Sequence, residues 1–494
     1  MGVDITYECI SSCNYRVYHS TYFDCSGSFM VPYFPLNTNN PPPAPTNFDF
    51  DFTGIPNTPG QVCTDPTPVG NWVYISYTDV TPICPTATTR CTDALSPIRG
   101  VSEVKYYRDY NFCNTNCNSY RIEWELCCRN NAITSLNAPG GVSIYTGATT
   151  INKTIVPCNN SPVFSNPPVP YICAGQAFTF NQGVVDPDGD SLVYSLGQCF
   201  DGPGVQVPYL ATYSPTNPLG NSWSVNVNSF TGDITIIPNP TGNQEVAVLC
   251  LYVTEYRNGV QIGQVVRDIQ VTAIDCNALG QVNTAPTLTS LTNLSPGASA
   301  TGLTVTACSC QEVCFDLPVT DPDSGQTYTI YWNQSLPGTF ADANNPLIAI
   351  DTIVSVGTTP TAQFCWVPTQ LGAYSFVVTV ADDGCPLLGQ NQVSVVINVV
   401  GCSLDPYADV DRTGCYDYRF TAFPCGGTPP FTFNWSGTGG LTGTDSILNY
   451  TYPGPGTYFH TLSITDGNGF TSFTTDTVVV VNDAVANAGS DFAL

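Results

Sequence analysis

The sequence is poor in positive charge. Two lysines, Lys105 and Lys153, and ten arginines face 38 acidic residues over 494 positions, a net charge of −26. A duplex-binding surface needs clustered Lys and Arg to displace phosphate counterions. No such patch can be assembled here, so nucleic acid is not an expected partner. Histidine is equally scarce, with His19 and His460 alone, and no CxxC pair occurs. That removes the usual zinc ligand sets. It also leaves little for a serine triad, which needs a histidine base. Both histidines alternate with apolar residues in strand-like stretches and read as structural. There is no G-x-S-x-G elbow and no P-loop. The glycine run "SGTGGLTGTD" (436–445) lacks a following Lys and reads as a loop. No segment approaches the ~18 consecutive apolar residues of a membrane-spanning helix, so membrane insertion is not expected. Helical periodicity is almost missing.

Cysteine, by contrast, is abundant at 23 residues. Such a number without a metal or redox pattern points to disulfides in an oxidising, extracellular setting. The odd total leaves one cysteine unpaired within the chain or bonded outside it. Cys127 and Cys128 are adjacent. Neighbouring strand residues point to opposite faces, so each is expected to pair elsewhere. No export signal precedes "VDITYECI", which reads as a strand, so the chain is taken as a mature or recombinant product whose export signal is missing.

Aromatics reach 12% and charged residues only 10%, with 42 Gly and 41 Pro. This is not a disordered composition. Period-two alternation recurs instead of helical spacing. In "SYRIEWEL" Tyr120, Ile122, Trp124 and Leu126 share one face and the charged residues the other. "NWVYISYTDV", "YRVYHSTYF", "DITIIP", "VAVLCLYVTEY", "YSFVVTVADD", "QVSVVINVV", "YFHTLSITD" and "TTDTVVVV" read the same way. Turn chemistry separates them: "DPDGD", "RNG", "DPDSG", "PGPG" and "DGNG". Short strands at this spacing indicate tandem β-sandwiches.

Pro/Asn-rich breaks divide the chain. Residues 1–160 form a cysteine-dense β unit with a Pro/Asn-rich loop, "NTNNPPPAPTNFDFDF", expected to be extended and exposed. "CNNSPVFSNPPVPYIC" leads into a second unit, 161–276. "NALGQVNTAPTLTS" opens a third, 277–402, and a fourth spans 403–484. Residues 485–494 read as a linker or the start of a further domain, so the chain is expected to be cut from something longer. Charge is uneven: 12 acidic and eight basic residues in 1–160, but 26 acidic and four basic in 161–494. The acidic portion attracts divalent cations and repels anionic surfaces. Units two and three look like diverged repeats, "VVDPDGDSLVYSL" matching "PVTDPDSGQTYTIYW". Stacked units that touch mainly their neighbours suit an elongated rod.

The D-x-D-x-D turn of Asp186, Asp188 and Asp190 has two readings. Calcium is a hard cation that takes six to eight oxygens, and three carboxylates on a tight loop offer them. The alternative is an acidic turn with Asx-type backbone hydrogen bonds. It is not an EF-hand: Ser191 stands at the loop's sixth position, Gly197 at its twelfth, and the flanks are strands. The repeat at Asp321 and Asp323 loses the third carboxylate; Asp382 and Asp383 in "ADDGC" are a second source of ligands there. Three acids in one turn do not supply the differently tuned pair flanking a cleft that acid–base hydrolysis needs.

"DITYECISSCNYRVYHSTYFDCSG", "WELCCRNNAITSL" and "CNNSPVFSNPPVPYICAGQAFTFNQGVVDPDGDSLVYSL" together resemble the N-terminal region of very large PKD-repeat, gliding-motility-associated surface proteins of Bacteroidota. The resemblance covers about residues 1–200. "DPDGDSLVYSL" is similar to the calcium turn of cadherin-like domains, which implies ligand roles for Asp186, Asp188 and Asp190. "PPFTFNWSGTG" with "YTYPGPGTYFHTLSITDGNGF" resembles a PKD domain, and only its fold carries over. The resemblance implies a disulfide-rich β domain followed by two cadherin-like and one PKD-like immunoglobulin-fold domains. It further implies export by the type IX secretion machinery and a role in adhesion or gliding motility. Such bacteria O-glycosylate Asp-Ser/Thr-apolar triplets, matched at Thr352, Ser446 and Thr477.

The expected function is therefore a non-catalytic adhesin or adhesin stalk at the cell surface, with structural calcium. Its partner would be an extracellular glycan, surface or protein, bound by residues 1–160. The alternatives are a subunit of a self-assembling extracellular filament and an accessory module of a secreted hydrolase.

Overall fold

The computed structural model describes residues 2–25, 50–84, 86–168, 171–239, 244–276, 283–323, 325–332, 353–356, 361–368, 371–385 and 387–481. Thr352, residues 485–494 and the Pro/Asn-rich loop up to residue 49 lie outside them. The protein is all-β, built of tandem sandwiches, and no α-helix occurs among the described residues. Each alternating stretch read from the sequence is a strand. "SYRIEWEL" is Ser119–Leu126, and "VAVLCLYVTEY" lies within Glu245–Arg257.

One long sheet organises the first half. Its order is Ser191–Gly197, Glu245–Arg257, Val260–Ile274, Gly2–Ser11, Asn14–Asp24, Val101–Asn111 and Thr67–Asp79. Val3 pairs with Asp268 and Asp4 with Arg267, so the sheet runs across residue 160 and joins the first two units by backbone hydrogen bonding. On one face a five-stranded sheet, including Ser119–Leu126 and Ile144–Asn152, encloses a core of Val3, Ile5, Tyr15, Tyr120 and Trp124. On the other face Phe178–Phe180, Trp223–Val227 and Ile234–Pro238 cover the central strands around Trp223, Leu249, Leu251 and Val265. Alternation decides this split. Leu249, Leu251 and Val253 point to one core, while Val248, Cys250 and Tyr252 point to the other side.

The third unit packs a six-stranded sheet on the pair Val313–Pro318 and Thr361–Trp366 around Phe315, Trp332 and Phe376. The fourth packs three strands on four around Phe420 and Trp435.

Eleven disulfides use 22 cysteines, and Cys415, exposed, stands outside these eleven. Two cross between units, Cys84–Cys385 and Cys310–Cys425. The first therefore fastens unit one to unit three, a contact between units that are not sequence neighbours. Beside it Leu388 N–H donates to the Pro82 carbonyl at 3.0 Å. The expectation for Cys127 and Cys128 is corrected: they bond to each other. The strand ends at Leu126, so the alternation that would have parted them no longer applies.

Candidate functional site

The acidic turn forms as its residue types dictate. One Asp186 carboxylate oxygen, Oδ1, accepts from the backbone N–H of Asp188 at 2.9 Å and of Asp190 at 3.0 Å. Gly189 takes φ +80°, a left-handed backbone that its missing Cβ permits. The turn is thus an Asx-type turn and also a cluster, since oxygens of Asp186, Asp188 and Asp190 lie within 4.8 Å of one another. The two readings of the sequence are not exclusive.

The connector between units one and two closes the site. Asn160 donates to Asp188 through its backbone N–H at 2.8 Å and its side-chain amide at 2.7 Å. Asn159 Nδ2 donates to Glu255 Oε1 at 2.7 Å. Glu255 is fully buried. Its Oε2 and the buried Oδ2 of Asp186 have no hydrogen-bond partner. Burial, then the charge of Asp186, pushes the Glu255 carboxyl up to about 9. Burial lifts Asp186 to about 6. An uncompensated buried carboxylate is costly, so the group holds a proton unless a cation balances it. One cation is already present. Arg257 donates from Nε and Nη2 to the two oxygens of Asp190 at 2.6 and 2.5 Å, and its Nη2 lies 3.4 Å from Asp188.

The third unit repeats this arrangement. Asp321 Oδ1 accepts from Asp323 N–H at 2.7 Å, and Asp323 Oδ2 accepts from Thr284 N–H at 2.6 Å. Asn283 Nδ2 donates to both oxygens of Asp382, at 3.1 and 3.0 Å. Asp321 Oδ2 is buried without a partner. Burial lifts Asp321 to about 6 and raises Asp382 as well. Asp383 is turned to a different task, accepting from Thr327 N–H at 3.0 Å. The internal cation is absent from this unit. The sequence holds no Lys or Arg between Arg267 and Arg412.

Asp186, Asp188 and Asp190 are therefore brought together, as are Asp321, Asp323 and Asp382 through the Asn283 connector. Sequence reasoning missed Asn159, Asn160, Glu255, Arg257, Asn283 and Thr284. A signal existed: "NNSP" and "NTAP" set the same Asn-x-x-Pro pattern at the two unit boundaries. The donor set, carboxylates with a buried orphan oxygen in each unit, fits a hard cation. Of the two turns, only the unit-two set of Asp186, Asp188 and Asp190 has its ligand oxygens within 4.8 Å of one another, while unit three has no competing arginine.

His19 is buried, held below its usual range near 3 by burial, and lies 3.0 Å from Thr21 Oγ1. His460 is buried against Phe420. Ser446 and Thr477 are exposed.

No protein-family model and no curated protein matches the chain. Among solved structures, dimeric latent PorU from Porphyromonas gingivalis matches at 12% identity and a TM-score of 0.15, covering 64% of this chain and 32% of that one. The BSP domain of a biofilm-associated protein matches at 10% identity and a TM-score of 0.15, covering 73% and 81%. At these scores neither bears on function. The disulfide content points to an extracellular or cell-surface location. No described helix is long and apolar enough to cross a membrane.

Proposed function

We propose that this chain is a non-catalytic extracellular surface protein, the adhesin stalk of the sequence reading, whose unit junctions are stiffened by calcium. In unit three Asp321, Asp323 and Asp382 would hold the ion, with Asn283 and Thr284 tying the connector to it. In unit two Asp186 and Glu255 would be the core ligands, with Asp188 and Asp190 engaged in part by Arg257. Bound calcium would supply the positive charge that the buried carboxylates lack and would clamp each connector to the turn below it.

The observation that carries this reading is the repetition. The same carboxylate turn, fastened to the same Asn-containing connector, stands at two successive junctions, each with a buried orphan oxygen. An ordinary acidic turn has no need of a buried unsatisfied oxygen, which costs about 1–3 kcal/mol or more. Eleven disulfides and two of the chain's few lysines and arginines, Arg129 and Arg267, spent on buried ion pairs fit a load-resisting part. Export by a type IX route, a role in gliding, and O-glycosylation at Ser446 and Thr477 belong to the same proposal.

The test is thermal melting and calorimetry with calcium against chelator, comparing the parent with Asp321→Ala and Asp186→Ala. Saturable stabilisation that Asp321→Ala reduces is the expected result. A parent chain whose melting ignores calcium overturns the calcium reading and leaves the disulfides and packing to hold the stalk.

A further inference from the structure

The long sheet presents a second site, away from the carboxylate cluster's interior. Asp4 faces the same side as its register partner Arg267, and alternation puts Thr6 and Glu8 on that side as well. Tyr18, Ser20 and Tyr22 continue the face on the next strand, opposite Tyr107, Lys105 and Glu103 on the one after. Beside the unit-two sandwich this face opens into a cleft of about 470 Å³. The sheet is its floor. Val163 and Phe164 of the connector and Pro187 of the acidic turn form a wall. Its size lies within the ~300–1,000 Å³ of small-ligand pockets.

We infer that this cleft binds a neutral saccharide of one or two rings. In a chain of net −26, the lining carries two carboxylates, Asp4 and Glu8, and two cations, Lys105 and Arg267. The cations are already engaged: Arg267 Nε donates to Asp4 at 2.9 Å, and Lys105 lies 3.2 Å from Glu103. Both cations are thus balanced inside the protein and Glu8 is a single exposed carboxylate held by Tyr18, so an ionic ligand gains little and pays its desolvation. The Tyr18 ring, Ile75 and Val163 supply accessible apolar area, while Glu8 and Lys105 place acceptor and donor groups among them. A sugar ring matches both, with apolar C–H faces and hydroxyls that each donate and accept.

The lining is also rigid. Tyr18 O–H donates to Glu8 at 2.8 Å and Tyr22 O–H to Glu103 at 2.7 Å, so the rings are held before any ligand arrives. A preformed aromatic floor spares the ligand an ordering cost. Asn160, also in the wall, is tied to Asp188. The inference deepens the adhesin reading by naming a ligand class, and it rests on that reading for its extracellular setting but not on calcium.

The experiment uses the full chain, in calcium and in chelator. Saturation-transfer NMR and calorimetry are run with maltose, cellobiose, diacetylchitobiose and mannobiose, and with cadaverine and citrate as charged probes. Saturable binding of at least one disaccharide in either buffer is expected. Tyr18→Ala and Ile75→Glu, both at partly exposed lining positions, are expected to weaken it by about tenfold each with melting unchanged. Failure of all four disaccharides overturns the inference. So does binding that both variants leave intact, or capture of cadaverine or citrate in their place. Because the parent's calcium-dependent melting is read separately, loss of the saccharide inference leaves the stalk reading standing, and the reverse.

Discussion

Arg257 grips both carboxylate oxygens of Asp190, at 2.6 and 2.5 Å, and reaches Asp188 at 3.4 Å. One guanidinium thus pairs with two of the three aspartates that the sequence marks as a cation site and offsets one of their charges. In unit three no such residue exists. The two junctions share a design, and only the first holds an arginine among its carboxylates.

Arg257→Gln is therefore expected to strengthen calcium binding at the first junction. Removing the competing cation frees two carboxylates, and the apparent Kd should fall by about tenfold, worth ~1.4 kcal/mol. Calorimetry on parent and variant decides it. An unchanged or weaker Kd would mean that the arginine is the permanent counter-ion of this turn.

The buried carboxyls set a pH dependence. Glu255 and Asp186 titrate in the folded protein near 9 and near 6, both above the unfolded carboxylate range. The native state then binds more protons than the unfolded chain between about pH 4 and pH 9, so stability falls as pH rises across that window. The charged groups that face them are Asp188, Asp190 and Arg257. In chelator the melting temperature should drop from pH 5 to pH 9, and Glu255→Gln should flatten the drop. Calcium needs the ionised form, so its stabilisation should grow over the same range. A flat profile in the parent would contradict the assignment.

Arg129 donates to both oxygens of Asp268, at 2.9 and 2.6 Å, with both side chains fully buried. The pair sits where strands of units one and two share a sheet. Asp268→Ala strands a buried guanidinium and should cost about 3–5 kcal/mol in urea unfolding. Replacing both partners, Arg129→Met with Asp268→Leu, should recover most of that loss. A single variant as stable as the parent would show that the two units do not unfold together.

Cys84–Cys385 spans 301 residues, the longest loop closed by any of the disulfides. Cys84→Ser with Cys385→Ser should lose about 2–4 kcal/mol, within the usual range for such a constraint. It should also let unit one move away from unit three, raising the radius of gyration in small-angle scattering. Peptide mapping of the non-reduced parent should recover the Cys84–Cys385 link and the Cys127–Cys128 pair. An unchanged radius would assign the clasp to packing around Ile83 and Leu387 instead.

The strands were legible because alternation is a local property. Tyr120, Ile122 and Trp124 name their own buried face in eight residues of sequence. The acidic turns were legible for the same reason, since Asp186, Gly189 and Asp190 fold on each other with no outside help. Glu255 and Arg257 were not. They lie at the end of a strand that pairs with Ser191–Gly197, and register alone brings them beside the turn some 65 residues earlier. The Cys127–Cys128 bond was not legible, because the strand ends at Leu126, immediately before the pair, and that end is settled by the strand's partners.

The sequence by itself determined that this chain is all-β, oxidised, anionic and divided by Asn/Pro connectors, because composition, period and turn chemistry act over a few residues. Tertiary structure decided which cysteines meet, that units one and two share a sheet, and that a lone arginine stands in one carboxylate cluster and not in its repeat. Those outcomes depend on long-range register, where one residue of slip exchanges the two faces of a strand, and no local pattern fixes it.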